Sequence, residues 1–194
     1  EIVGTHLVGR VHVAPATHVD NVTGDAIKAY VSGTASPTAS FTDGKPVTPT
    51  SAPSIAGFSS RGPSSATGDQ LKPDIAAPGV DVLAAVSPAG HGGRLWDLES
   101  GTSMSSPHIA GLSLLIKQKH PDWTPDMIKS AMMTTAYDLK SGADPFAQGA
   151  GQVNPTKFLD PGLVYQSGGF NRYLGFICGV MGDSVSSACP QVKI

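Results

Sequence analysis

The amino-acid sequence predicts an α/β chain, and three observations carry that expectation. Apolar segments of strand character lie at residues 3–13 and 80–86. Two longer segments, after Ser103 and from Thr124, have helical apolar spacing and clear end signals. Gly and Pro, at 23 and 16 of 194 residues, supply tight turns between these segments.

The elements follow in order. Residues 3–13, VGTHLVGRVHV, alternate in part and predict a strand. TGDAIKAYV predicts a short helix capped by Thr23, with Asp25 at its positive end and Ala26, Ile27, Tyr30 and Val31 as its inner face. The Ser/Thr/Pro-rich stretch that follows predicts a linker with extended chain near Ala39–Thr42. IAGFSSRGPSS predicts a short strand and a turn at Gly62-Pro63, and Val80–Val86 predicts a buried strand. From Ile109 to Ile116 nearly every residue is apolar or small, which predicts a helix buried almost all round. Lys117, Lys119 and His120 suit its negative end and Pro121 stops it. The next helix has Thr124 as cap, Pro125 in the first turn and Asp126 against the dipole; Met127, Ile128, Ala131, Met132 and Thr135 form its inner face. GAGQVNP then turns the chain back to the core.

Composition narrows the function. Charged residues are 14%, below the roughly 25% of ordinary soluble domains, and net charge is −2. No basic run marks a nucleic-acid partner, and no apolar stretch approaches membrane-spanning length. The chain opens in mid-pattern at Glu1 without a signal peptide, so a truncated or processed start is expected. Cys178 and Cys189 admit two readings: unrelated thiols, or one local disulfide implying an oxidising compartment. Asn21-Val22-Thr23 fits the N-glycosylation acceptor pattern, although such triplets arise by chance; Asn154-Pro155-Thr156 is excluded by its proline.

The segment ESGTSMSSPHIAG poses the chemical question. A serine at a helix start meets free backbone N–H groups that favour negative charge, so an oxyanion formed on Ser103 would sit well there. Gly101 allows close backbone approach, and Ser105 and Ser106 leave room. The plainer role for Ser103 is a helix cap. His108 lies five residues on, about 140° around the helix, and is no base for Ser103. His6, His12, His18, His91 and His120 show no acidic partner in sequence. The nucleophile elbow of the α/β-hydrolases fails because position 105 is Ser rather than Gly.

GTSMSSPHIAG closely resembles the active-serine motif of the subtilisin-like serine proteases, the subtilases. FSSRGPS, LKPDIAAPGVDVLAA, HPDWTPDMIKSAMMTTA and GAGQVNPTKFLDPGLVY follow in the family's order, from about Pro53 to Tyr165. The resemblance is to the large type with a protease-associated insertion. It implies a partial subtilisin-like α/β fold with a mostly parallel sheet flanked by helices. HVDNVTGDAIKAYVSGTASPTA resembles the end of that insertion, so residues 1–40 are assigned to it. Residues 41–160 then belong to the catalytic domain, and 161–194 lead toward a C-terminal β-sandwich. Plant members commonly carry Cys where this chain has Ser106.

Position by position, the resemblance makes Ser103 the nucleophile and its backbone N–H one oxyanion donor. Gly101, Thr102, Pro107 and His108 take structural places in the motif, as do Asp74, Pro78 and Gly79. It implies a secreted serine endopeptidase acting on polypeptides, with no cofactor, no metal, no nucleic acid and no membrane partner. In this family the order is Asp, His, oxyanion Asn, then Ser. The first three precede the insertion, so this chain is expected to lack them and to need the remainder of its catalytic domain. Asp20, Asp25, Asp43, Asn21 and Asn154 have none of the family's context. Little activity and poor solubility are expected of the chain alone, and the competing expectation is a catalytically dead relative acting as a binding or scaffold protein.

Overall fold

A computed structural model describes residues 16–41, 53–67, 70–140, 144–181 and 189. The strand expected at residues 3–13 lies outside these. The chain divides into two compact units, residues 1–50 with 79–104, and residues 51–78 with 105–194. The division falls inside one helix, after Met104.

In the first unit, helix α1 spans Asn21–Gly33. Its cap is Asp20, whose carboxylate accepts the Thr23 N–H at 2.7 Å. The sequence pointed to Thr23, but the helix begins two residues before it, which leaves Asp20 at the cap position with its carboxylate in reach of the Thr23 amide. Of the expected inner face, Ile27, Tyr30 and Val31 are about half exposed. No regular strand forms over residues 39–41. Strands β1 (Val82–Ala85) and β2 (Trp96–Glu99) make an antiparallel hairpin, pairing Val82 with Glu99 and Ala85 with Trp96. Its loop is closed by the Val86 N–H to the Leu95 carbonyl and contains Gly92 and Gly93 at positive φ. The strand expected to be buried is instead alternately covered, with Leu83 65% exposed. A two-stranded ribbon covers one face at most, and the side chains follow its period of two.

In the second unit a core of Ile116, Ile128, Met132, Val153 and Phe158 is flanked by Ile75, Ala77, Ile109, Leu112, Trp123 and Leu159. Helix α2 spans Thr102–Lys119 and supplies Ile109, Leu112 and Ile116. Only that stripe is covered: Ile116 is fully buried while Leu114 is 70% exposed, contrary to the all-round burial expected. Lys117 donates to the carbonyls of Pro121 and Trp123, closing the C-terminus as its position suggested. His120 stacks on Trp123 and hydrogen-bonds the Leu159 carbonyl at 2.8 Å. Helix α3, Pro125–Thr134, begins as read, with the Thr124 hydroxyl accepting the Met127 N–H. Ile128, Ala131 and Met132 are buried; Met127 and Thr135 are half-buried, and Ser130 is buried unexpectedly. Helix α4 is the short Pro145–Gln148 turn and α5 spans Phe170–Met181. IAGFSS makes a turn rather than a strand, with Ser59 N–H on the Ala56 carbonyl, and the chain bends again at Pro63.

One ribbon ties this unit together. Ala76 donates to Gly151 and accepts from Val153, a parallel pairing, and Gln152 pairs antiparallel with Tyr137. The expected mostly parallel sheet is not present among the described residues: their one sheet is the antiparallel hairpin, and parallel pairing is limited to the isolated bridge of Ala76 with Gln152. It demands glycine on entry. Gly149 has φ 62, and a Cβ there would stand 2.4 Å from the Pro73 carbonyl oxygen; at Gly151 (φ 110) it would stand 2.3 Å from that of Tyr137. A Cβ at Gly162 meets nothing within 4 Å. Gly149→Ala is therefore expected to cost about 3 kcal/mol or more by urea unfolding, combining backbone strain with displacement of main chain. Gly162→Ala should stay within about 1 kcal/mol of the parent.

Candidate active site

Strand β2 delivers the chain to a two-residue turn, Ser100-Gly101, and α2 begins at once. The turn is fixed from behind. The Gly101 N–H donates to the Gly79 carbonyl at 2.8 Å, and the Ser100 hydroxyl accepts the Asp81 N–H at 2.9 Å. Asp81 sits in the left-handed region at φ 51, which Asp tolerates better than most residues. The Met104 N–H returns to the Gly101 carbonyl, tightening the first helical turn.

Thr102 and Ser103 are the first two residues of α2, and both are exposed. In the first turn the Ser103 N–H has no intrahelical acceptor. No side chain among the described residues hydrogen-bonds its hydroxyl. Pro107 lies inside α2 and is exposed, and His108 is half-buried on the same helix. Because the helix is continuous, the angular separation of His108 from Ser103 holds. Ser105 turns the other way and donates to the Ala77 carbonyl at 2.9 Å, while Ser106 stays exposed.

One histidine does have acidic partners, against the sequence reading. His91, in the hairpin loop, lies 3.1 Å from Asp97 and 3.7 Å from Glu99. Asp97 and Glu99 are two apart on β2 and so share a face. Arg94 also reaches Asp97, at 2.5 Å. The hydrogen bond from His91, then the Leu98 N–H and Arg94, hold the Asp97 carboxyl below its ordinary value. Among the described residues no bond joins this cluster to Ser103. Among the described residues no group of three His, Cys, Asp or Glu side chains is arranged to hold a metal ion, and no helix is long and apolar enough to cross a membrane.

A serine presented on a strand–turn–helix, in the segment GTSMSSPH, is the feature to compare with known proteins. The profile of the subtilase family matches residues 13–151. The chain belongs to the subtilase family. It is 44% identical to subtilisin-like protease SBT1.7 of Arabidopsis thaliana over 211 residues, covering 98% of this chain and 27% of that protein. Over 194 residues it is 42% identical to SBT4.14 of the same plant, covering 94% and 26%, and 38% identical to SBT4.9, covering 93% and 27%. The chain thus spans about a quarter of the length of the curated relatives it matches. Membership implies an α/β fold, and the five helices and the hairpin of the described residues are compatible with it.

Within this subtilase chain the LKPD segment has a structural task. Asp74 bridges Lys72 at 2.7 Å and Lys129 of α3 at 2.8 Å, and its carbonyl accepts the Ala150 N–H. Burial pushes its carboxyl up, but the hydrogen bonds and charges of Lys129 and Lys72 outweigh this and leave it below the ordinary 3.8. Sequence reading also missed buried Gln148, which accepts the Leu139 N–H and donates to Asp138. A third feature is the attachment of residues 163–167 to α3. Thr134 donates to the Leu163 carbonyl, Ser130 accepts the Tyr165 N–H, and Asp126 accepts from Ser167 and Tyr173. These bonds border a cavity of about 460 Å³ lined also by Met133 and Ala150. Cys178 of α5 is bonded to Cys189, with Cα atoms 5.6 Å apart.

A depressed carboxyl stabilises the fold above its unfolded value and loses that contribution as pH falls through the native one. Asp74→Asn is expected to cost about 1–2 kcal/mol at neutral pH, after allowing for partial exposure of the ion pairs. Urea midpoints of the parent chain should drop as pH falls from about 5 toward 2, and the variant's should drop less steeply in that window. Equal slopes would show that Asp74 does not carry the effect.

Proposed function

We propose that this chain is the nucleophile-bearing part of a secreted serine endopeptidase, with Ser103 as nucleophile and its own N–H as one oxyanion donor. The observation that carries the reading is the exposed Ser103 hydroxyl at the start of α2, which no side chain among the described residues engages, within a motif of the family the chain belongs to. In that reaction Ser103 Oγ attacks a peptide carbonyl, and the negative oxygen settles toward the free amides of the helix N-terminus. The acyl group then passes from Ser103 to water.

The proton of Ser103 must go to a base, and His108 is turned about 140° away from it around the helix. The remainder of the catalytic domain supplies the Asp, His and oxyanion Asn in this reading. Residues 1–40 close a protease-associated insertion, Gly101, Thr102, Pro107 and His108 shape the serine turn, and residues 161–194 lead toward a β-sandwich domain. The substrate is a polypeptide, and the names of the plant relatives, all subtilisin-like proteases, point the same way. The pairing of Cys178 with Cys189 suits an oxidising, extracellular setting. The competing reading is a relative that keeps the serine but has lost its partners and serves as a binding or scaffold protein.

Fluorophosphonate labelling of the source extract separates the two. The reading expects a tag on Ser103, recovered in the peptide containing GTSMSSPH, in a polypeptide well above 19.8 kDa. In that full-length protein Ser103→Ala should abolish the tag and lower kcat by roughly 10⁶-fold, the scale found when subtilisin loses its serine. An untagged Ser103 in intact parent protein would overturn the protease reading in favour of the scaffold.

A further inference from the structure

We propose that Asn21 is the site at which this chain takes N-linked carbohydrate, carried on the solvent face of α1. The proposal rests on the secreted reading above. The sequence has three asparagines, Asn21, Asn154 and Asn171, and only Asn21 stands in an acceptor triplet with a permitted middle residue. A triplet alone is weak, because many occur by chance or become buried.

The structure adds three observations. Asn21 opens α1, and both Asn21 and Thr23 are exposed. The segment Asp-Asn-Val-Thr offers three side chains able to cap a helix, and Asp20 alone does so, through the Thr23 N–H. The Asn21 amide is thus left outside the cap, so the folded helix has room for a glycan there; the Thr23 hydroxyl hydrogen-bonds the Asp20 carboxylate in the fold and is needed by the transferase only on the newly translocated chain. Finally, Asn21 belongs to a polar stripe. At 100° per residue, Asn21, Asp25, Lys28 and Ser32 fall within an arc of about 60°. Asp25 and Lys28 pair at 3.1 Å, and the Ser32 hydroxyl donates to the Lys28 carbonyl. Ala26, Ile27, Tyr30 and Val31 lie around the opposite side. A hydrophilic, bulky group at Asn21 therefore projects from the polar stripe and leaves the apolar face free to pack.

The chemistry balances with a lipid-linked oligosaccharide diphosphate as donor. The Asn21 amide nitrogen bonds to the anomeric carbon, the bond from that carbon to the diphosphate oxygen breaks, the nitrogen loses one proton, and the lipid diphosphate leaves. The acceptor is the newly translocated chain, so the outcome does not depend on how well a variant later folds.

The test expresses the full chain behind a secretion signal in cultured mammalian cells and treats the lumenal and secreted fractions with peptide-N-glycosidase. One downward mobility step is expected, with Asn21 converted to Asp in its peptide. Asn21→Gln and Thr23→Ala should lose the step completely, whereas Thr23→Ser should retain it. Translocated chain with unmodified Asn21 would overturn the proposal while leaving the secretion reading intact, since the signal is supplied. Carbohydrate on that chain but none on native protein recovered from outside the cells of its source would overturn the proposal, whereas native protein found unglycosylated inside those cells would overturn the secretion reading instead.

Discussion

The second unit depends on one short parallel pairing, residues 74–76 beside residues 150–153. Its three backbone bonds, Ala150 to Asp74, Ala76 to Gly151 and Val153 to Ala76, are each 2.8–2.9 Å. They form only because Gly149 and Gly151 adopt backbone angles closed to other residues and bring main chain against main chain. Everything nearby takes its position from this ribbon. Val153 and Ala77 enter the core, Ser105 ties α2 to the Ala77 carbonyl, and Lys129 ties α3 to Asp74. Tyr137 closes the far edge.

What could be read from sequence was whatever chain neighbours decide. The cap of α3, its proline start and most of its inner face were legible because Thr124, Pro125 and the 3.6-residue spacing act within a few residues. The turn of GAGQVNP was legible for the same reason. Burial was not. The run from Ile109 to Ile116 is apolar all round, yet only the stripe facing Ile128, Met132 and Phe158 is covered, since coverage depends on what else is folded beside it. Val80–Val86 fails likewise: β-propensity says nothing about how many sheet faces have partners. The position of Ser103 was legible as a helix start; the expectation that its base lies outside this chain rests on family order rather than on any pattern in the chain.

Two clusters escaped sequence reading because they join different periodicities. Asp97 and Glu99 alternate on a strand, while His91 comes from a loop whose path the hairpin sets. The attachment to α3 is clearer still. Asp126, Ser130 and Thr134 are four apart, and their partners Ser167, Tyr165 and Leu163 are two apart and run the opposite way. Four helical residues rise about 6.0 Å, and two extended residues span about 6.6 Å. An extended segment can therefore track a helix, every second residue meeting every fourth. The helix half of that match is visible as D-x-x-x-S-x-x-x-T, but it has meaning only when the extended half lies alongside.

In the proposed reaction, the serine turn can contribute only what a helix start provides. A hydroxyl is a poor nucleophile until its proton is removed, and the helix start cannot remove it, because N–H groups stabilise the anion that forms without accepting the proton. Under the proposed protease reading, the turn held by Gly79, Ser100 and Asp81 would supply position and part of the oxyanion stabilisation, and no proton transfer. His108 does not make up the difference from its place around α2, and His91 is engaged with Asp97 on the hairpin. On that reading, position and charge stabilisation would be carried by residues 79–104, and acid–base chemistry would come from the remainder of the catalytic domain. A division of that kind would leave Ser103 chemically quiet until a base is brought to it.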